Sequence, residues 1–153
     1  MDIPVFNLKT LKQYFYSFLT VVLLIAIVSL LFRYVVHINV FEEVFRKINT
    51  WYLLAIIFIA TYLFEQNSKK EIRRIIEITN TEEKFKKFEQ YFKKKLVLNA
   101  ISVALTGIFL VGTRGNLMLY VLIIQVIFTS AFYPRKAIIT KELKSEDIVF
   151  TES

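Results

Sequence analysis

Four apolar runs divide this chain of 153 residues, and they constrain its fold more than any other feature. The first is "YSFLTVVLLIAIVSLLFRYVV", Tyr16 to Val36, and the second "TWYLLAIIFIATYLF", Thr50 to Phe64. The third is "LVLNAISVALTGIFLVGT", Leu96 to Thr113, and the fourth "NLMLYVLIIQVIFTSAFY", Asn116 to Tyr133. Each approaches the ~20 residues that a bilayer core requires. The second is short, so its helix is expected to start near Ile48 and to continue to about Gln66. With 56% hydrophobic residues and a mean hydropathy of +0.51, the chain carries more apolar surface than one soluble core of this size can hide. The expected class is an all-α integral membrane protein, a single polytopic domain over residues 1–153. Its four transmembrane helices are expected at about 16–36, 48–66, 96–113 and 116–133. Lys9 and Lys12 precede the first run as in a signal peptide. No small-x-small cleavage site follows and further runs come after it, so an uncleaved span is expected.

Between the second and third runs lies "KKEIRRIIEITNTEEKFKKFEQYFKKK", Lys69 to Lys95, which holds ten of the 20 Lys and Arg residues. Orientation follows from where such residues fall. The segment before the first run has two, the tail four and the Lys69–Lys95 loop ten; the other two loops have three and one. Both termini and the basic loop therefore go inside, sixteen against four, in the plasma (inner) membrane. Tyr14, Phe15, Tyr16, Trp51, Tyr52 and Tyr133 flank the runs where headgroup-level rings are expected.

The basic loop lacks Gly and Pro and is rich in helix formers. It breaks at "TNT", Thr79 to Thr81, where Asn80 and Glu83 form a cap-like start. Ile72, Ile75, Ile76 and Ile78 largely share one side before the break. Phe85, Phe88 and Phe92 recur at helical spacing after it, with Lys84, Lys86, Lys87, Lys93, Lys94 and Lys95 mostly on the other faces. The simplest geometry is a protruding cytoplasmic helical hairpin over residues 67–95. The alternatives are a solvated loop whose charge only sets topology, and a surface helix with its rings in the bilayer and its lysines toward anionic headgroups. These lysines and phenylalanines are the candidate partner or lipid contacts.

Smaller segments carry weaker patterns. Phe41, Val44, Phe45 and Ile48 suggest a short amphipathic helix in the first outer loop. Leu8, Leu11 and Phe15 suggest an N-terminal helix along the inner interface. In the tail, residues 134–153, "AIIT" and "DIVFT" suggest short strands leaning on the protein or a partner, although "SEDIVF" fits a helix start at Ser145.

Polar residues inside the runs concentrate in the last two. Asn99, Ser102 and Thr106 lie along one side of the third run, beside the small residues Ala100, Ala104 and Gly107. Gln125 and Thr129 are four apart in the fourth. With the two helices antiparallel these groups share a depth, which predicts interhelical hydrogen bonds or a polar path. No Asp, Glu or Lys falls mid-run, which counts against ion-coupled transport. Arg33 lies at an outer end where snorkelling is easy. His37 is the only His and there is no Cys, so thiolate metal sites and Cys nucleophiles are excluded. No phosphate loop or metal motif is present, so no cofactor is expected.

The expected function is that of a non-enzymatic accessory subunit or membrane anchor whose basic hairpin contacts an acidic partner or anionic lipid. The alternatives are an oligomeric pore or membrane-disrupting effector lined by the third and fourth helices, and a lipid- or small-molecule-handling protein. Expected partners are membrane lipids and a second copy or another membrane subunit. Nucleic acid is disfavoured, because no binding motif accompanies the charge.

Overall fold

A computed structural model of the protein describes residues 5–36, 45, 48–113, 116–144 and 148–151. In chain order these form β1 (Val5–Asn7), α1 (Leu8–Leu31), α2 (Thr50–Ile76), α3 (Thr81–Gly112), α4 (Leu117–Thr129), α5 (Lys136–Leu143) and β2 (Val149–Thr151). A π-helical stretch, Phe32–Val36, extends α1, and a 3-10 turn, Ser130–Phe132, extends α4. His37, Phe41, Val44, Arg114 and Ser145 lie outside the described residues.

The fold is all-α apart from the two short strands. Two helices are long and apolar enough to cross a membrane: Leu8–Val36, of mean hydropathy 2.6, and Thr81–Gly112, of 1.9. A third is added if α4 with its 3-10 turn and α5, bent by 80°, count as one span. The four expected spans meet that standard only in part. In α2 the apolar run stops at Glu65, and α4 has only 13 residues.

The central feature is a parallel pairing of α1 with α3. Phe6 meets Phe85, Tyr14 meets Lys93, Ser29 lies on Gly107, and Arg33 bonds to Leu110. The residue numbers in these contacts differ by 79, 79, 78 and 77, so the two helices keep register along their length. The cause is a stripe on α1 of Leu8, Leu11, Phe15, Phe18, Val22, Ala26 and Ser29, spaced three or four apart and buried throughout. On α3 the matching face is Phe88, Tyr91, Phe92, Leu96, Val103, Thr106, Gly107 and Leu110. The outward faces of the other helices are apolar and bare: Trp51, Phe58 and Ile59 of α2 and Ile127 and Phe128 of α4 are each more than half exposed. The accessible surface is 10302 Å², against about 8,100 Å² for a water-soluble monomer of this mass.

Several boundaries differ from those read in the sequence. Helix α1 starts at Leu8, not Tyr16, because Asn7 caps it, accepting from the Lys9 and Thr10 N–H groups at 3.0 and 3.4 Å. The N-terminal stripe of Leu8, Leu11 and Phe15 is thus the first turns of the same helix. Helix α2 starts at Thr50, not Ile48, since Asn49 takes the cap position and accepts from the Trp51 N–H at 3.1 Å. It ends at Ile76, so the break falls at 77–80, a little before the expected Thr79 to Thr81. Asn80 then starts α3 by accepting from the Glu83 N–H at 3.2 Å. In the tail, "AIIT" is helical within α5 because burial of Ile139 and Leu143, one turn apart, outweighs β-branched propensity. The following strand, β2, pairs with β1 in parallel: Val5 with Val149, Phe6 with Phe150 and Asn7 with Thr151.

Candidate functional site

Helix covers Lys69 to Ile76 and Thr81 to Lys95, so the basic stretch is built from the end of α2 and the start of α3. Its aromatic stripe faces the chain itself. Phe88 is 1% exposed, Phe92 is buried and Phe85 is half-buried. Phe6 of β1 places its ring 4.7 Å from Phe85, 5.9 Å from Phe88 and 6.0 Å from Phe150, each edge to face. Each fully buried Phe contributes about 1.5–3 kcal/mol by leaving water, so the rings tie the hairpin to the strand pair. Phe88 and Phe92 are not available to a partner or to the membrane surface.

The six candidate lysines divide into two groups. Lys93, Lys94 and Lys95 are consecutive, and an α-helix turns them about 100° apart, toward three different neighbours. Lys93 Nζ sits 4.0 Å over the Tyr14 ring of α1 and pairs with Glu89 at 3.1 Å. Its pKa is raised by its hydrogen bonds, first to Tyr14 and then to Glu89. Lys94 reaches Glu71 of α2 at 2.6 Å, and Lys95 reaches Glu142 of α5 at 3.1 Å. Lys95 also lies over the rings of Tyr91 and Phe132, at 5.7 and 5.5 Å. Such pairs are individually worth little, about 0–1 kcal/mol when exposed, but here they orient three helices around one turn of α3. Lys84, Lys86 and Lys87 make no ion pair among the described residues, and Lys86 and Lys87 are exposed.

Tyr91 is the hub of this region. It is buried, and Ser68 lies beside it on the same groove. Burial first, then the Glu142 and Glu71 carboxylates, push its phenol up to about 12, so it stays neutral. Two grooves adjoin it. One, of about 710 Å³, runs between α2 and α3; the other, of about 550 Å³, extends toward Phe132 and Glu142.

Below the hairpin, α3 and α4 pack antiparallel through a polar seam. Gln125 Nε2 donates to Ser102 Oγ at 3.2 Å, and Asn99 Nδ2 donates to Thr129 Oγ1 at 3.3 Å. Thr129 Oγ1 in turn donates to the Gln125 carbonyl at 2.9 Å, and Thr106 Oγ1 to the Ser102 carbonyl at 3.0 Å. Gln125 Oε1 is buried without a partner. At the far end, Arg33 donates to the Leu110 carbonyl at 3.1 Å and to Asn116 Oδ1 at 3.2 Å. It thereby caps the last turn of α3 and holds the start of α4, a role that snorkelling alone does not describe. Phe45, which precedes α2, packs edge to face on Phe109, with ring centres 5.8 Å apart.

Ser68, Glu71, Tyr91 and Glu142 were not singled out by sequence reasoning, and Tyr14 only as a headgroup-level ring. Glu71 and Lys94 are 23 residues apart and Lys95 and Glu142 are 47 apart, beyond any local spacing rule; Tyr91 between Phe88 and Phe92 is the one member with a visible signal. Among the described residues no group of three His, Asp or Glu side chains is placed to hold a metal ion. The chain matches no protein-family model, no curated protein and no solved structure at a significant level.

Proposed function

We propose that the protein is a four-span inner-membrane anchor or accessory subunit, with both termini and the α2–α3 hairpin in the cytoplasm, and that the hairpin engages an acidic protein partner. The pairing of the two ends of the chain carries the arrangement. Strand β1 immediately precedes α1, and its Phe6 touches Phe85 and Phe88 at the start of α3. These residues share a side of the membrane, so if α1 crosses, α2 must cross back. Strand β2 pairs with β1, so if α3 crosses, the chain must return before Val149. Two long apolar helices with joined ends support four crossings, even though the apolar run of α2 and the length of α4 are marginal. Local thinning of the bilayer accommodates such helices at modest cost. The sixteen-to-four charge split supports the joined side as cytoplasmic.

Lys84, Lys86 and Lys87 support the docking role. They stand on a helix whose aromatic face is already occupied, and they form a basic surface that makes no ion pair among the described residues. Such a field attracts acidic partners and is screened over ~8 Å at physiological salt. An oligomeric pore lined by α3 and α4 finds less support, because Asn99, Ser102, Gln125 and Thr129 bond to one another. The test is exchange of Lys84, Lys86 and Lys87 for Gln, followed by co-purification from the native membrane at two salt concentrations. Loss of a partner at low salt with unchanged insertion is expected. An unchanged set of co-purifying proteins refutes the docking role.

A further inference from the structure

The groove of about 710 Å³ between α2 and α3 is chemically graded along its length. One end is apolar, formed by Ala60, Phe64 and Leu98. The other is basic: Lys70, Arg74, Lys94 and Lys95 line it beside a single carboxylate, Glu71. Lys94 is paired with Glu71 and Lys95 is turned to Glu142. Lys70 and Arg74, one helical turn apart and both exposed, make no ion pair among the described residues. Asn67 and Ser68 add neutral hydrogen-bonding groups between the two ends.

The dimensions match one molecule. Ala60 and Arg74 are 14 residues apart on one helix, about 21 Å at 1.5 Å per residue. A single leaflet with its headgroups is ~20–22 Å thick. The apolar end is continuous with bare side chains on the same helices: Leu63, Val97 and Ile101 are 56, 56 and 58% exposed. An acidic peptide satisfies the basic end and leaves the apolar end unfilled. Free phosphate does the same.

We propose that this groove holds an anionic glycerophospholipid of the inner leaflet, its phosphate against Lys70, Arg74 and Lys94 and one acyl chain along Ala60, Phe64 and Leu98. The assignment rests on the membrane arrangement proposed above, but on a surface separate from Lys84, Lys86 and Lys87. Basic pockets between membrane helices on the cytoplasmic side are suited to such headgroups.

Native mass spectrometry of the full chain in detergent tests it, with phosphatidylglycerol, phosphatidylcholine or inorganic phosphate added. Preferential retention of phosphatidylglycerol is expected. Lys70→Gln with Arg74→Gln should weaken it about thirtyfold, at roughly fivefold per charge, with helicity unchanged by circular dichroism. Arg74→Lys should keep binding, as should Lys86→Gln with Lys87→Gln. Equal loss from the two double variants means diffuse attraction and overturns the groove. Equal retention of the two lipids, or full displacement by inorganic phosphate, overturns the lipid assignment. Failure of the membrane arrangement itself is read separately, from reporter fusions.

Discussion

Gly107→Ala tests the register on which the whole arrangement depends. A methyl group at Gly107 would lie 2.2 Å from Ser29 Oγ, 3.2 Å from Ser29 Cβ and 3.8 Å from Ile25 Cγ2. The first contact is about 1.2 Å inside ordinary van der Waals distance. Rotating the Ser29 hydroxyl away relieves it, but breaks the 2.8 Å bond to the Ile25 carbonyl, a loss of about 0.5–1.5 kcal/mol. The tight contact with Ser29 Cβ remains after that rotation, so α1 and α3 must also part slightly. Overpacking of this kind typically costs about 1–3 kcal/mol. Alanine's better helix propensity returns up to about 1 kcal/mol, which leaves a net destabilisation on the order of 1 kcal/mol. Thermal unfolding in detergent, followed by circular dichroism, reads the change. The double variant Ser29→Ala with Gly107→Ala should recover only the part of the loss that comes from the clashing oxygen, because the Ser29 Cβ contact remains. If Gly107→Ala alone is neutral or stabilising, propensity is acting without the contact, and the parallel α1–α3 pairing is wrong.

The other predictions follow from the topology, the seam and the hub. Reporter fusions at Asn67 and after Ser153 should read cytoplasmic and one after Arg114 external; a cytoplasmic signal at Arg114 overturns the four-span arrangement. Gln125→Leu removes one interhelical bond and one unpartnered oxygen together, so detergent stability should change by less than about 1 kcal/mol, with any activity tracking folded amount. A change in conductance at constant folded amount would instead favour the pore. Tyr91 keeps its proton to about pH 12 in the fold, whereas its ordinary pKa is 10.0. Unfolding therefore releases a proton within that window, and stability should fall as pH rises through it, with no contribution below. Tyr91→Phe should flatten that fall, and equal slopes for the two proteins would count against a buried phenol.

Periodicity and charge made much of this architecture legible. The apolar runs locate parts of all the long helices, and the Asn80–Glu83 cap marks the start of α3 within one residue. The antiparallel seam could be anticipated because Gln125 and Ser102 are nearly equidistant from the turn that joins their helices. What stayed hidden was long-range. Nothing local in Phe6 says that its ring will meet Phe85, Phe88 and Phe150. The Phe85–Phe92 stripe reads in the sequence as a candidate partner or lipid contact; in the structure the N-terminal strand and α1 cover it. The lysine run read as one uniform patch, yet helical geometry sends Lys93, Lys94 and Lys95 to α1, α2 and α5.

The strand pair also sets an order on biosynthesis. Phe6 leaves the ribosome early, but Phe85, Phe88 and Phe150 follow 79, 82 and 144 residues later. At ~5–20 residues per second, β1 waits roughly 7–30 s for β2. During that interval an apolar ring and an open strand edge stand at the membrane surface, where a chaperone or a neighbouring nascent chain can reach them. The helices can insert one after another, but the end that carries β1 closes only when α5 and β2 have emerged. Truncation just before Val149 should therefore leave a chain that inserts and then turns over quickly in the cell.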